Sequence, residues 1–464
     1  MNNVKEGNHG FRRTPAFFKD IDSQIVTSLL EVEINSYSKF RKSYTENIDS
    51  SRHIPLGVHS SFQYYDPFPI SISHSEGAYL YDIEGNRFLD LSMGFGAMMV
   101  GHRNKFIESE LTSALHEGTL YTAPSARSKL ASIKLKERFN LDFIRFANSG
   151  TEANMYAVRL ARVATGKMGV LKIEGGYHGG PDTLNFSTKP LIKDAGSPSQ
   201  PNVVPAKGIA TSDFYVVPFN NLDSLEYTLK SYGDKIACFI LEPVLENIGI
   251  VLPDDGYLSS VRSLCDKYNI ILIFDEVKTG LTAGYAGAGN RMGVKADITT
   301  LAKSIGAGLP VAAFGGDKRF SKYIEDGQLS HFGTYNGHNL GAAAVLAVDK
   351  LSTIENISNS ENLNFEALGK ISDIIEEYQL PAHTVGFGIK GAVTWRGREV
   401  RNYRDYKDIN FDLAKLSFFW SLNRGIITPP GLDEQWLVSF AHEKAEIDIL
   451  INDFHSLARA LRGL

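Results

Sequence analysis

Cysteine is scarce in this 464-residue chain, with only Cys238 and Cys265 present. Neither belongs to a CxxC pair, so both read as reduced thiols used as small packing residues. Long apolar runs are also missing, and none reaches membrane-spanning length. The stretch from Met1 to Asp22 is polar and lacks the apolar core of a signal peptide, which makes the cytoplasm the expected compartment. Blocks of one charge sign are absent as well. The 48 Lys and Arg and the 53 Asp and Glu are interspersed, for a net charge of −5. No basic block points to nucleic acid, and no polybasic helix points to a membrane surface. A P-loop is missing too. The Gly166-Lys167 and Gly369-Lys370 pairs lack both the upstream glycine and the following Ser or Thr, which removes the ATPase reading that the acidic end of Ile270–Glu276 would otherwise invite.

What remains is the composition of an ordinary globular enzyme, 43% hydrophobic and 22% charged. The length allows two packed domains, or a large domain with a smaller companion. Residues 1–50 are polar and read as a peripheral segment. Ala78–Asp82 and Arg87–Leu91, joined through Glu84-Gly-Asn86, read as an antiparallel hairpin. From about residue 105 short apolar runs alternate with helical patterns. The runs are Phe143–Phe146, Val170–Ile173, Ile236–Leu241, Ile270–Phe274, Ile298–Leu301 and Val311–Phe314. Helices are expected over Asn154–Thr165, Tyr257–Tyr268 and Leu340–Ser352. This order predicts an α/β fold with a mostly parallel sheet covered on both faces. The expected division is 51–104 as the first part of a smaller α+β domain, 105–345 as the large domain, and 346–464 as the rest of the small one.

Open parallel sheets bind ligands outside the carboxyl ends of their strands, and there the chain places polar residues. Ser149-Gly-Thr151 joins a strand to a helix and suits a phosphate cradle, although an ordinary helix cap has the same composition. Glu242 ends a second run and Asp275-Glu276 a third. Lys303 follows a fourth, ahead of a Gly-rich turn. A lysine there, if partly buried, is an amine ready to attack a carbonyl. An acid, an amine and a phosphate cradle at neighbouring strand ends are together what pyridoxal 5′-phosphate (PLP) requires.

These segments resemble the class III aminotransferases, in the branch around glutamate-1-semialdehyde aminomutase, over roughly residues 50–455. Ser149-Gly-Thr-Glu-Ala153, Tyr177-His-Gly179, Glu242-Pro-Val-Leu-Glu-Asn247, Ile273-Phe-Asp-Glu-Val277, Gly333-Thr334, Val400–Tyr403 and Ser439–His442 carry the likeness. The resemblance implies the PLP-dependent transferase fold type I, a large domain plus a smaller α+β domain. It places the cofactor as a Schiff base on Lys303, with Asp275 at the pyridine nitrogen and Val277 and Tyr177 against the ring. Ser149, Gly150 and Thr151 fall at the phosphate, Asn247 at the phenolic oxygen, and Thr334 at the phosphate of a neighbouring subunit in a homodimer. His178 reads equally as a cofactor contact or a structural histidine. The implied activity is amino transfer between small-molecule amines or amino acids and carbonyl acceptors. Intramolecular aminomutase chemistry is second, and an inactive PLP-fold binding protein third.

The sequence departs from the aminomutase at one place. Gln63 stands where that enzyme has a substrate-gripping arginine, and Gln offers no charged fork to a carboxylate. Arg396, Arg398 and Arg401 become the candidate carboxylate partners, and Glu434 the carboxylate at the substrate mouth. Phe62, Tyr64, Tyr65 and Phe68 read either as an aromatic wall beside the site or as core.

Overall fold

The computed structural model describes residues 9–210, 212–431 and 435–464. The strands Ile236–Leu241 and Ile271–Asp275 are buried at every position, as their unbroken apolar sequence demands of strands covered on both faces. They lie at the middle of a seven-stranded sheet. Its spatial order is Phe143–Ala147, Ala312–Gly316, Ile298–Leu301, Ile271–Asp275, Ile236–Leu241, Gly169–Ile173 and Phe214–Val217. Five of these strands pair parallel in succession, whereas Ala312–Gly316 is antiparallel to both its neighbours. The carboxyl ends of the six like-directed strands therefore share one edge.

Helix Gly150–Thr165 shows why the chain changes element where it does. Ser149 caps it by accepting from the Glu152 amide, and Gly166 ends it in the left-handed region at φ +69°. Between the caps, Ala153, Ala157, Val158 and Ala161 are buried, the i, i+3, i+4 stripe of a helix laid on a sheet. The sequence-expected strands and helices are present with boundaries shifted by a few residues. The hairpin is present too: Tyr79–Asp82 pairs antiparallel with Arg87–Asp90. The Asp82 carboxylate accepts from the amide and the side chain of Asn86 at the turn.

The edge strand Phe214–Val217 was not expected. It is four residues long and pairs parallel with Gly169–Ile173. Among the described residues of its connection, 174–210 and 212–213, there is no helix. A connection of that length is more often functional than a simple link.

The N-terminal segment is integrated rather than peripheral. Phe11–Arg13 adds a strand to the sheet of His383–Phe387, Lys390–Thr394 and Trp436–Leu437. Tyr37 and Phe40 are buried in a cluster with Phe68, Phe88, Phe418 and Phe419. Polar neighbours masked these anchors in the sequence. Glu33, for example, is itself buried, paired with Arg424 and bonded by Asn423. Cys238 and Cys265 are free and buried, and burial pushes both thiols up to about 12. Among the described residues no helix is long and apolar enough to cross a membrane.

Candidate active site

Where the parallel strands end, a cavity of about 400 Å³ opens. Its wall brings together Ser149, Gly150, Thr151, Tyr177, His178, Asn247, Asp275, Val277 and Lys303, residues from five segments spread over 155 positions of sequence.

Asp275 is the last residue of the central strand and is almost wholly buried. One carboxylate oxygen accepts from Asn154 Nδ2 at 2.7 Å and His178 Nδ1 at 2.8 Å, and the other from the Val277 amide at 3.0 Å. Burial alone would raise its pKa. The His178 contact, the Val277 amide and Asn154 outweigh that, and Asp275 titrates below the ordinary carboxylate value. His178 is itself buried, and burial holds its pKa down against the pull of Asp275. Its Nδ1–H donates to the carboxylate, so the histidine positions Asp275.

The phosphate-cradle motif forms the start of helix Gly150–Thr165. The Glu152 amide goes to Ser149 Oγ and the Ala153 amide to the Ser149 carbonyl. The amides of Gly150 and Thr151 belong to the first turn, which has no intrahelical carbonyl for them. Gly150 is required by packing, because a Cβ there would stand 2.8 Å from Val277 Cγ2. Gly179, at φ +90°, lies so close to Thr151 that any side chain would displace it.

Lys303 opens a short 3-10 turn after Ile298–Leu301. Its φ of +48° lies in the left-handed region, as does that of Ala307 at +46°. Such backbone costs of order 1–3 kcal/mol per residue and is held only where the surroundings over-determine it. Glu242, beside Asp275 in the next strand, accepts from the Glu246 amide at 2.9 Å. Burial, reinforced by the Asp275 charge, pushes it up to about 7. Glu242 lines the cavity beside Asn247. A helix start with open amides, a held carboxylate and an amine around one void fit the phosphate, ring nitrogen and aldehyde of PLP.

Asn154 was missed in the sequence, whereas Phe62 was already read as wall or core. Asn154 sits on the buried face of its helix, in register with Ala157, Val158 and Ala161. A polar residue on that stripe was the available signal. It bonds Asp275, the His178 carbonyl and the Thr300 hydroxyl. Phe62 lines the cavity and meets the Tyr177 ring edge-on at 6.0 Å. Tyr65 and Phe68 belong to the aromatic core, and Tyr64 bonds Asp66. Gln63 does not line the cavity. Its Oε1 accepts from the Ser60 amide at 3.2 Å in a local cap. The three arginines are not brought to it either. Arg396 bonds Asp405 and the Glu399 carbonyl, Arg401 pairs with Asp254, and Arg398 is exposed. Thr334 is exposed on this chain, and Glu434 lies outside the described residues.

The mostly parallel seven-stranded sheet, flanked by helices and joined by a smaller antiparallel part, is the architecture of PLP-dependent enzymes of fold type I. The chain belongs to the class III aminotransferases, whose family model matches residues 61–400. It is 33% identical over 433 residues to "Glutamate-1-semialdehyde 2,1-aminomutase 1" of Listeria welshimeri, covering 92% of this chain and 100% of that protein. Its fold matches that of a glutamate-1-semialdehyde aminomutase from Pseudomonas aeruginosa in complex with PMP, with a TM-score of 0.87 at 23% identity over 95% and 99% of the two chains. It also matches a β-phenylalanine aminotransferase from Variovorax paradoxus, with a TM-score of 0.85 at 26% identity over 95% and 99%. The cofactor of this family is pyridoxal 5′-phosphate.

Proposed function

We propose that the chain is an intermolecular aminotransferase acting on a primary amine or amino acid and a carbonyl acceptor. One observation carries the reading: a single cavity is lined both by Lys303 and by an Asp275 held ionised by three donors. When bound, PLP supplies an electron sink for negative charge developing at the substrate carbon.

Lys303 is the amine that would hold the cofactor's aldehyde carbon, and its free amine would be the base that takes the proton from the substrate carbon. Asp275, kept ionised, would keep the pyridine nitrogen protonated. His178 and Asn154 fix the carboxylate for that task. The Gly150 and Thr151 amides, with the Ser149 and Thr151 hydroxyls, take the phosphate. Tyr177 and Val277 wall the ring, and Asn247 serves the phenolic oxygen. Thr334 completes the phosphate site of a second copy in a homodimer.

The overall exchange balances without an outside oxidant. The donor carbon loses its amino group and one hydrogen and becomes a carbonyl, while the acceptor carbonyl carbon becomes the amine. The test is a panel of amines mixed with the PLP form, followed by absorbance for conversion to the pyridoxamine form. No conversion by any donor counts against the reading. The 33% identity to a protein named as an aminomutase favours a second reading, intramolecular transfer, which differs in needing no external donor.

A further inference from the structure

A second cavity, of about 370 Å³, shares Phe62, Tyr177 and Asn247 with the first. It is walled by the connection that precedes Phe214–Val217: Phe186, Val204, Pro205 and Ala206 give it an apolar side, and Asn185, Ser187, Thr188 and Lys189 are its polar members. We infer that this chamber seats the apolar body of the substrate, an aryl or large aliphatic group carried on the reacting carbon. The inference rests on the reading of Lys303 as the reacting amine.

The chamber is built rather than incidental. Lys172, fully buried, donates to the Leu184 carbonyl at 3.1 Å and to Thr188 Oγ1 at 3.3 Å, and lies 5.1 Å from the Phe186 ring. Phe186 stacks on Phe214 with ring centroids 4.5 Å apart. The two limbs of the connection bond each other, Ser187 N to the Val204 carbonyl at 2.6 Å and Ala206 N to the Asn185 carbonyl at 3.0 Å. From the far side Tyr403 donates to the Pro190 carbonyl at 2.7 Å. Arg404, held by Glu174, donates to the Ala195 carbonyl at 2.7 Å. The Val400–Tyr403 segment singled out in the sequence thus ends on a residue that braces this wall.

Size and charge select the occupant. An apolar void of roughly 150 Å³ is enough to take up benzene, so this chamber accepts an aromatic ring beside a cofactor-sized site. Among the described residues neither cavity is lined by an arginine, and the cation that the chamber does present, Lys189, is exposed. A carboxylate seated against Phe186, Val204, Pro205 and Ala206 would lose its hydration without a forked partner. The shared Phe62, Tyr177 and Asn247 set the chamber directly against the Lys303 cavity, within reach of a substituent of the molecule reacting there.

The test uses the purified PLP form of the full chain, its cofactor lysine first mapped by borohydride reduction and peptide mass. Calorimetry measures binding of acetophenone, which carries the ring but no amine. Half-reaction kinetics then compare 1-phenylethylamine with ethylamine and 4-aminobutyrate. Acetophenone should bind, and Ala206→Phe should weaken it about tenfold or more, since filling or emptying part of an apolar pocket changes selectivity by roughly 10–200-fold. The kcat/KM ratio of 1-phenylethylamine to ethylamine should fall by a similar factor in Ala206→Phe and rise in Val204→Ala. Equal acetophenone binding by parent and Ala206→Phe, no binding at all, or preference for ethylamine or 4-aminobutyrate overturns the inference. Borohydride label on a residue other than Lys303 overturns the underlying reading instead, and the acetophenone result still decides what the chamber binds.

Discussion

His178 and Asp275 stand 97 positions apart in the chain and meet at 2.8 Å, both out of water. The contact is a hydrogen bond that orients the carboxylate and favours its charged form. Replacing Asp275 with Asn keeps the shape and removes the anion. Stabilisation of developing charge of this kind is worth roughly 3–4 kcal/mol. Stopped-flow measurement of the donor half-reaction should therefore show Asp275→Asn slowed at least a hundredfold while still binding PLP. A loss under tenfold would mean that Asp275 does not face the ring nitrogen.

Lys303 is held in a left-handed backbone conformation at the cavity wall, as expected of a side chain whose placement matters more than its local comfort. Borohydride reduction should fix the cofactor on the peptide containing Lys303, and Lys303→Ala should carry no reducible cofactor. A retained, reducible linkage in that variant would move the assignment to another amine.

The central strands, their order along the chain and the cluster of polar residues at their ends were legible because buried parallel strands read as unbroken apolar runs. The strand ends that matter, Asn148, Glu242, Asp275 and Lys303, break those runs. Less legible was whatever depends on a tertiary partner. Phe11–Arg13 has no apolar run of its own and becomes a strand only against His383–Phe387. The reversal of Ala312–Gly316 follows from its pairing on both sides, which periodicity does not encode. Asn154 looked like an ordinary helix residue until Asp275 was beside it. The resemblance-based placement of Gln63 at the substrate meets a side chain folded back on Ser60.

Lys172 offers a pH test of the wall it braces. Burial pushes it down to about 7, against the upward pull of Glu242, from an ordinary value of 10.5. Between those values the unfolded chain holds one more proton than the folded one, so stability rises with pH, by at most about 1.4 kcal/mol per unit. Below pH 7 both states are protonated and the full burden of a buried charge remains. Lys172→Met lacks this dependence. Urea unfolding should show any stability advantage of the Met variant shrinking, or its deficit growing, from pH 7 to pH 10. A pH-independent difference would place the Lys172 titration elsewhere.

Assembly can be tested at Thr334. Its neighbours Phe332 and Tyr335 are 83% and 61% exposed on the single chain, an apolar display suited to an isologous contact. Sedimentation should give a dimer, and Thr334→Ala should weaken PLP retention without changing Lys303 labelling. A fully active monomer would contradict the shared phosphate site.

The remaining prediction separates amino transfer from the aminomutase reaction. The resemblance sets Gln63 where the aminomutase would have an arginine, its side chain is tied to Ser60, and among the described residues no arginine lines the cavity. Losing a charged partner at a desolvated site costs on the order of 2–5 kcal/mol, a factor of roughly 30 to several thousand in binding. Glutamate 1-semialdehyde should therefore be a poor substrate, and turnover of any carbonyl acceptor should require an added amine. The measurement is 5-aminolevulinate formation by the purified PLP-loaded and pyridoxamine-loaded protein, with and without donor. Efficient donor-independent formation would establish the intramolecular reaction and show that the carboxylate is gripped by a group other than an arginine of this wall.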